Sequence, residues 1–274
     1  MMRPGSLLAV GRTSDVFHCG PGAVVKVPRP AVPGHWARQE AAFTAAVREL
    51  GAPAPAVLEV VQVDGRDAIV FERVEGPSMW ELIVEEARPP AAFGQELADV
   101  HGSILRAGLP LEVPALVERM TTKVAELKQL AADERAEAQR ALEGLPRGAA
   151  LLHGDLHPGN VLMSPSGPVA IDWFDAAVGH PVADVVRSSL LIRPFDHSAE
   201  RPHLPRMAPP VLRALHESYL GAMGDVLAGC PEELHRWEAV VAVSRLAEEA
   251  EADDSSLLAL WRGRHTPRSA TWPG

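Results

Sequence analysis

The chain of 274 residues has little cysteine and no long apolar run. Its two cysteines, Cys19 and Cys230, are too few for a disulfide framework, so a reducing cytoplasm is the expected location. No apolar run near the first residue has the length of a signal peptide, and none in the chain has the length of a bilayer span. We therefore expect a soluble, cytoplasmic protein that does not bind a membrane.

Positive charge is also scarce. The chain has 26 Lys and Arg against 36 Asp and Glu, a net charge of −10, which argues against nucleic acid as a partner. Residues 1–75 carry 8 basic and 8 acidic residues, whereas residues 76–274 carry 18 and 28, so the whole net charge lies after residue 75. Only three basic residues are lysines, which makes each of them a candidate for a specific role: Lys26, Lys123 and Lys128.

Strand-forming segments separated by turns fill the first 75 residues. Short runs of β-forming residues alternate with glycine and proline, and Asp64-Gly65 is a strong hairpin signal. One segment has good helix formers with its large apolar residues on one face. The pattern predicts a small β-rich lobe with strands at 7–10, 15–19, 23–28, 56–63 and 67–74 and a helix at 34–50.

From Gly76 the apolar spacing becomes helical, and no repeat or flexible linker interrupts the chain. We expect two lobes of one unit, 1–75 and 76–274, with a hinge near Gly76. Between 151 and 173 the period shortens and predicts a small hairpin around 164–167. Helices are expected at 78–87, 91–107 and 114–143, and from 184 to about 262 with a loop at 193–207.

The segment "LLHGDLHPGNVLM", residues 151–163, places polar residues between apolar strands. Asp155 and Asn160 are five residues apart, and Asp172 ends a strand 17 residues after Asp155. This spacing resembles the core of the kinase-like phosphotransferases, and "HGDLHPGN…IDW" is most similar to the aminoglycoside phosphotransferase and choline kinase families. The resemblance implies an α+β, bilobal protein-kinase-like fold with a small β-rich N-terminal lobe and a larger, mainly helical C-terminal lobe.

The chemistry of phosphoryl transfer suits these residue types. An acceptor hydroxyl must be oriented and must lose its proton, and Asp155 is the candidate base. Magnesium prefers hard oxygen ligands, which Asn160 and Asp172 supply. The flanking apolar strands would hold these groups in place.

The resemblance also implies roles for three neighbours of the loop. His153 would support the loop from behind, and Asp184 would hydrogen-bond its backbone as a structural residue. His157 stands where protein kinases carry a lysine and would approach the γ-phosphate.

Lys26 and Glu40 are charged residues on otherwise apolar faces, Lys26 within a strand and Glu40 within the apolar stripe of a helix. Each explains the other if they form the Lys–Glu pair of kinase-like folds, with the lysine on the nucleotide phosphates. ATP is the expected cofactor with Mg²⁺, and GTP is possible.

Further nucleotide contacts follow from the resemblance alone. "VFERVEG" corresponds to the hinge that receives the adenine through backbone groups of Glu72 and Val74, with Phe71 guarding the pocket. The turn 11–14, ending at Ser14, would cover the phosphates with backbone amides, although it holds one glycine where protein kinases have three.

The acceptor is expected to be a small molecule, because 11 residues between Asp172 and Asp184 leave no room for an activation segment. The acidic charge after residue 75 favours a cation, such as an aminoglycoside or a basic peptide antibiotic, whose phosphorylation would give resistance. A choline-like amine, homoserine, a sugar or a macrolide is the alternative. Candidate acceptor-binding acids are Asp175, Glu232, Glu233 and Glu248.

Two other functional classes fit the pattern less well. A metallophosphoesterase would need a histidine after Gly159-Asn160, where this chain has Val161. A non-catalytic pseudokinase usually loses the lysine, the base or the metal-binding aspartate, and all three are present. A monomer and a dimer are both compatible with the sequence.

Outside this pattern the sequence predicts ordinary structural roles. His101 is expected in the core, His216 and His235 at the surface, and the acidic run 248–254 on a solvated face.

Overall fold

The computed structural model describes residues 3–109, 112–193, 207–228, 231–248 and 255–263. A five-stranded antiparallel sheet in the order β1-β2-β3-β5-β4 forms the first part, and helix α1 covers one of its faces. The elements are β1 (Leu7–Val10), β2 (Ser14–His18), β3 (Ala23–Pro28), α1 (His35–Glu49), β4 (Val57–Val63) and β5 (Arg66–Glu72).

The two-residue period of β3 decides which side chains meet α1. Val25 and Val27 point to the sheet face away from the helix, where they pack with Val70 of β5. Lys26 therefore points to the opposite face, opposite Ile69 and beneath α1. A lysine on that face needs a polar partner, because α1 packs there through small apolar residues.

The second part is mainly helical and contains the larger core. Two small antiparallel ladders, β6–β9 and β7–β8, lie beside the helices. The elements are α2 (Met79–Val84), α3 (Pro90–Leu105), α4 (Leu116–Ala125), α5 (Ala132–Glu143), β6 (Ala150–Leu152), β7 (Val161–Ser164), β8 (Gly167–Ala170), β9 (Ala177–Gly179), α6 (Pro181–Ile192), α7 (Pro209–Ala222), α8 (Gly224–Leu227), α9 (Pro231–Arg245) and α10 (Ser255–Arg262).

These elements confirm the predicted α+β class, with an antiparallel sheet first and helices after it. The division at residue 75 stays a prediction. The chain passes from strand to helix between Glu72 and Met79, and no helix in the described ranges is both long and apolar enough to cross a membrane.

The helix predicted at 114–143 is wrong, because the structure has two helices there, α4 and α5. Leu127 and Leu130 both turn into the core between them. The Arg135 guanidinium donates to the carbonyls of these two leucines, at 3.0 and 2.6 Å, and so satisfies them without a continuing helix. Tertiary packing here overrides a good local helix pattern.

The predicted surface position of His216 is also wrong. Its side chain is buried in α7, and its Nε2 lies 2.7 Å from the hydroxyl of Ser189 in α6. Burial, followed by the charge of Arg193, lowers the pKa of His216 to about 4, so the ring is neutral. His101 is buried as expected, whereas the loop predicted at 193–207 lies largely outside the described residues.

Gly76 connects the sheet to the helical part at a position without room for a side chain. Its φ is +141°, and an added Cβ would lie 2.1 Å from the Met163 carbonyl oxygen on β7. The next residue, Pro77, accepts a hydrogen bond from the Met163 N–H at 2.8 Å. The strand-to-helix connection therefore runs in contact with the hairpin β7–β8.

We predict that Gly76→Ala lowers the free energy of unfolding by about 3 kcal/mol or more, because a left-handed strain is added to a backbone clash. Gly65→Ala is the matched control, since Gly65 also has a positive φ (+77°) but no atom near its added Cβ. The control should cost only about 1–2 kcal/mol. Equal losses in urea-induced unfolding of the two variants would contradict the close contact at Gly76.

Candidate active site

One buried carboxylate holds the 153–160 loop from behind. Asp184, in the first turn of α6, accepts hydrogen bonds from the backbone N–H groups of His153 (2.7 Å) and Gly154 (2.9 Å). Nε2 of His101 lies 3.1 Å from the same carboxylate, and Nδ1 of His101 lies 2.7 Å from the Tyr219 hydroxyl. Burial alone would raise the pKa of Asp184, but the interactions with His101 outweigh it and hold that pKa below its usual range. The loop backbone is therefore bound to a buried, ionised acid.

The ring of His153 links this loop to the strand before Asp172. Nδ1 of His153 accepts a hydrogen bond from the Asp155 N–H (3.2 Å), so Nε2 carries the proton and donates to the Ile171 carbonyl (3.1 Å). Burial lowers the pKa of His153, so the ring is neutral. The ring thus connects Asp155 to Ile171, and the supporting role that the resemblance implies for His153 stays a prediction.

The Asp155 carboxylate lies between an arginine and an amide. Its Oδ1 accepts a hydrogen bond from Arg187 Nη2 at 2.9 Å. Asn160 Nδ2 donates to the Asp155 carbonyl oxygen at 2.9 Å and lies 3.4 Å from Oδ2. Burial would raise the pKa of Asp155, but the charge of Arg187, followed by His157, holds it well below its usual range. Asp155 is therefore an ionised acceptor, and sequence reasoning missed its arginine partner.

Asn160 and Asp172 come together beside the hairpin β7–β8. The Ile171 N–H donates to the Asn160 carbonyl oxygen at 2.9 Å, and Asp172 has a left-handed φ of +66° at the end of the strand. Because Asp155 engages Nδ2 of Asn160, the amide oxygen is the group left for a ligand. The Asp172 side chain is 42% exposed, so its carboxylate is accessible.

These two side chains offer one carboxylate and one amide oxygen, the hard donors that Mg²⁺ prefers. Within the described ranges no three or more His, Cys, Asp or Glu side chains come together as a group that could hold a metal ion. Magnesium commonly keeps water and takes phosphate oxygens in its remaining positions. The pair therefore fits a magnesium ion that is delivered with a nucleotide.

Lys26 connects the five-stranded sheet to Asp172. Its Nζ lies 2.6 Å from Glu40 Oε1 on α1 and 3.0 Å from Asp172 Oδ1. Burial would lower the pKa of Lys26, but the charges of Asp172 and Glu40 outweigh it and raise that pKa above its usual range. The structure thus brings together the two charges that the sequence placed on apolar faces, and adds Asp172 to them.

The residues predicted to form the nucleotide hinge lie at the end of β5. Phe71 is buried and shares the α1-facing side of the sheet with Ile69. The Glu72 carboxylate accepts a hydrogen bond from the Ala56 N–H at 2.7 Å, so this side chain supports the strand end. Val74 follows the strand and is half-buried.

The two residues predicted near the phosphates are engaged in local turns. The carbonyl oxygen of Ser14 accepts a hydrogen bond from the Gly11 N–H at 2.9 Å, which closes the turn between β1 and β2. Nδ1 of His157 accepts from the Gly159 N–H at 3.0 Å, and Nε2 lies 4.0 Å from Asp155 Oδ2. Burial is the largest influence on His157 and lowers its pKa, so the ring is neutral at pH 7.

Two of the acids predicted to bind the acceptor are already paired. Asp175 lies 3.3 Å from both Arg119 and Lys123. Glu248 pairs with Lys123 and also with Arg187, at 2.9 Å. Together with Asp155 these side chains form what we call the ion-pair cluster: Asp155, Asp175, Glu248, Arg119, Lys123 and Arg187.

The prediction that residue 248 lies on a solvated face is wrong, because only 14% of the Glu248 side chain is exposed. Burial would raise the pKa of Glu248, but the charges of Arg187 and Lys123 outweigh it and lower it to about 2. Glu233 is half-buried on α9 and interacts electrostatically with His180. The Glu232 side chain and residues 249–254 lie outside what the structure describes.

Comparison with known proteins agrees with the fold. The model of the phosphotransferase enzyme family matches residues 5–224. No curated protein sequence matches the chain.

Among solved structures, the chain is similar to a thermostable mutant of aminoglycoside phosphotransferase APH(4)-Ia in complex with AMP-PNP and hygromycin B. The TM-score is 0.67 and the identity 18%, over 96% of this chain and 94% of that one. APH(2")-IIIa with GDP and kanamycin has a TM-score of 0.55 and an identity of 16%, over 96% and 94%. A choline/ethanolamine kinase family protein from Mesorhizobium loti has a TM-score of 0.51 and an identity of 21%, over 95% and 85%. These neighbours confirm the predicted protein-kinase-like fold.

We predict that Asp184→Asn lowers the free energy of unfolding by about 1–3 kcal/mol at pH 7, because the amide leaves at least one buried partner unsatisfied. The folded-state pKa of Asp184 is depressed, so its contribution is present above the unfolded-state value of about 4 and is lost as the pH falls. The difference in stability between wild type and variant should therefore shrink below about pH 4. Asp99→Asn, at an exposed position on α3, is the control. A difference that is constant with pH would contradict an ionised Asp184.

Proposed function

This chain belongs to the phosphotransferase enzyme family and is a kinase-type phosphotransferase, and we propose that it transfers the γ-phosphate of ATP to a hydroxyl of a small molecule. The observation that carries the proposal is the contact of Lys26 with Asp172, because a cation next to the candidate metal ligand supports a combined phosphate and metal site. Asn160 hydrogen-bonds both to Asp155 and to Ile171, the residue before Asp172. These contacts support a single site that contains a candidate phosphate-binding cation and a candidate proton acceptor.

In the proposed reaction Asp155 orients the acceptor hydroxyl and takes its proton. The hydroxyl oxygen forms a bond to the γ-phosphorus as the bond from that phosphorus to the β–γ bridging oxygen breaks, and ADP leaves. Because Arg187 keeps the pKa of Asp155 low, this carboxylate is a weak base. A weak base suits a loose transition state, in which the hydroxyl loses its proton late and orientation matters most.

Lys26 would hold the α- and β-phosphates, with Glu40 fixing its position. Asn160 and Asp172 would bind Mg²⁺, which supplies neutralisation of the developing phosphate charge when bound. Phe71, Glu72 and Val74 are proposed to receive the base. Both ATP and GTP fit a hinge of this kind, and we favour ATP.

For the acceptor we propose a cationic, hydroxyl-bearing molecule such as an aminoglycoside or a basic peptide antibiotic, whose phosphorylation would give resistance. The 10 excess acidic charges after residue 75 support this choice, because they attract a cation over a long range. The ion pairs within the ion-pair cluster do not reduce this excess, because each pair has no net charge. Similar structures hold hygromycin B or kanamycin, which are such molecules.

A neutral acceptor, such as a sugar or a macrolide, is the second candidate. Asp175 and Glu248, two of the predicted acceptor acids, already have cationic partners. An ammonium group would have to displace Lys123 or Arg187 from them. This pairing favours an uncharged group next to the reacting hydroxyl.

We predict that Asp155→Asn lowers the rate of phosphoryl transfer by about 10²- to 10⁴-fold, the usual effect of losing a positioned general base. The dissociation constant of Mg·ATP, measured by calorimetry, should change little, because Asp155 is not proposed to contact the nucleotide. Asp225→Asn, at an exposed position on α8, is the control. A near-wild-type rate in Asp155→Asn would remove Asp155 from the mechanism.

We predict that the dissociation constants of hygromycin B and kanamycin rise several-fold between about 0.05 and 0.5 M salt, because salt screens the attraction of cations to the acidic lobe. A neutral macrolide measured in parallel gives the baseline for non-electrostatic effects. If the molecule that is phosphorylated most rapidly binds with a salt-independent constant, the neutral acceptor is correct and the cationic one is wrong.

A further inference from the structure

Arg187 and Asp184 lie on one face of α6, three residues apart. Asp184 binds the backbone of the 153–160 loop at His153 and Gly154, whereas Arg187 binds the side chain of the next residue, Asp155. One helix face therefore fixes both the backbone and the carboxylate of this part of the loop. No motif in the sequence marks Arg187, and its neighbours "VVRSS" are ordinary helix residues.

Arg187 is itself held from the other side. Its Nη1 and Nη2 lie 3.1 and 2.9 Å from the two carboxylate oxygens of Glu248, and 11% of its side chain is exposed. Such a two-point contact between a planar guanidinium and a carboxylate restricts the rotation of the arginine. Glu248 thus prevents Arg187 from turning away from Asp155.

The contacts of Asp155 are divided between its two oxygens. Arg187 occupies Oδ1 at 2.9 Å, whereas the contacts of Oδ2 with polar side chains among the described residues are the longer ones to Asn160 Nδ2 (3.4 Å) and His157 Nε2 (4.0 Å). A hydroxyl that approaches Asp155 can therefore bind Oδ2 without breaking a short hydrogen bond.

We infer that Arg187 is a positioning residue for the transfer reaction: it fixes Asp155 through Oδ1, leaves Oδ2 for the acceptor hydroxyl, and is itself fixed by Glu248. The inference rests on the proposed function, since it assigns Arg187 a role in that same reaction. It differs from a purely structural ion pair, because the effect of Arg187 on the rate must pass through Asp155.

Arg187→Met tests this role, with the transfer rate and the Mg·ATP dissociation constant as separate readouts. Misplacement of a reacting group by about 1 Å costs on the order of 100-fold in rate, so we expect kcat to fall by about 10- to 100-fold. The Mg·ATP constant should stay near the wild-type value. Arg187→Lys should recover only part of kcat, because a lysine gives one point contact in place of the planar fork.

Arg193→Met is the matched control, because Arg193 directly follows α6, the helix that contains Arg187, and forms a partly buried ion pair with Glu238, at 2.7 Å. Its loss should lower stability without changing kcat of the folded protein. If Arg187→Met fails to fold, Glu248→Gln replaces it, since this change frees Arg187 and should lower kcat in the same direction. Equal kcat in Arg187→Met and the control would overturn the inference.

A double-mutant cycle shows whether Arg187 acts through Asp155. In an Asp155→Asn background, Arg187→Met should lower the transfer rate by less than twofold, because the group that Arg187 positions is already lost. A further tenfold loss in that background would contradict the inference. The same cycle measured by urea unfolding should show non-additive midpoint shifts, and this readout does not depend on activity. If the urea midpoints are non-additive but the wild type transfers no phosphate to any acceptor, the contact between Arg187 and Asp155 is real and the proposed function is wrong.

Discussion

The hydrogen bonds from two backbone N–H groups to the Asp184 carboxylate are the constraint on which the rest of the site depends. They fix His153 and Gly154, and Asp155 follows directly in the chain. Burying an ionised carboxylate is costly unless it is fully hydrogen-bonded, and His101 completes the set. The polar loop can therefore lie between apolar strands without unsatisfied groups at this point.

A second constraint is the need of the buried Lys26 for charged partners, which connects the five-stranded sheet to Asp172. Lys26 must have a partner on the α1 side of the sheet, and it has two, Glu40 on the helix and Asp172 just after the hairpin β7–β8. A buried lysine between two acids keeps its charge, and in the proposed reaction nucleotide phosphates would replace part of this contact. The ion-pair cluster balances the charge of Asp155 through Arg187, which also pairs with Glu248. Charge compensation thus holds both the Lys26 ammonium and the Asp155 carboxylate in place.

The fold class could be predicted from the sequence. The grouping of residues that are close in the chain, such as Asp155 and Asn160, could also be predicted from their spacing. The contact of Lys26 with Glu40 could also be predicted from the sequence, because a charge on an apolar face requires a partner. Arg187 was not predictable, since 32 residues separate it from Asp155 and it is one of 23 arginines. The break between α4 and α5 was missed for a similar reason, because Leu127 and Leu130 turn inward through tertiary packing. The roles assigned to the site residues stay predictions.

The most direct test of the account is a crystal structure of this protein with Mg²⁺ and AMP-PNP. We expect the base at the end of β5, the α- and β-phosphates on Lys26, and the γ-phosphate facing Asp155. A magnesium ion should lie about 2.0–2.1 Å from Asn160 Oδ1 and an Asp172 oxygen. A nucleotide bound outside this cleft, or phosphates distant from Asp155 with no ion between Asn160 and Asp172, would contradict the account.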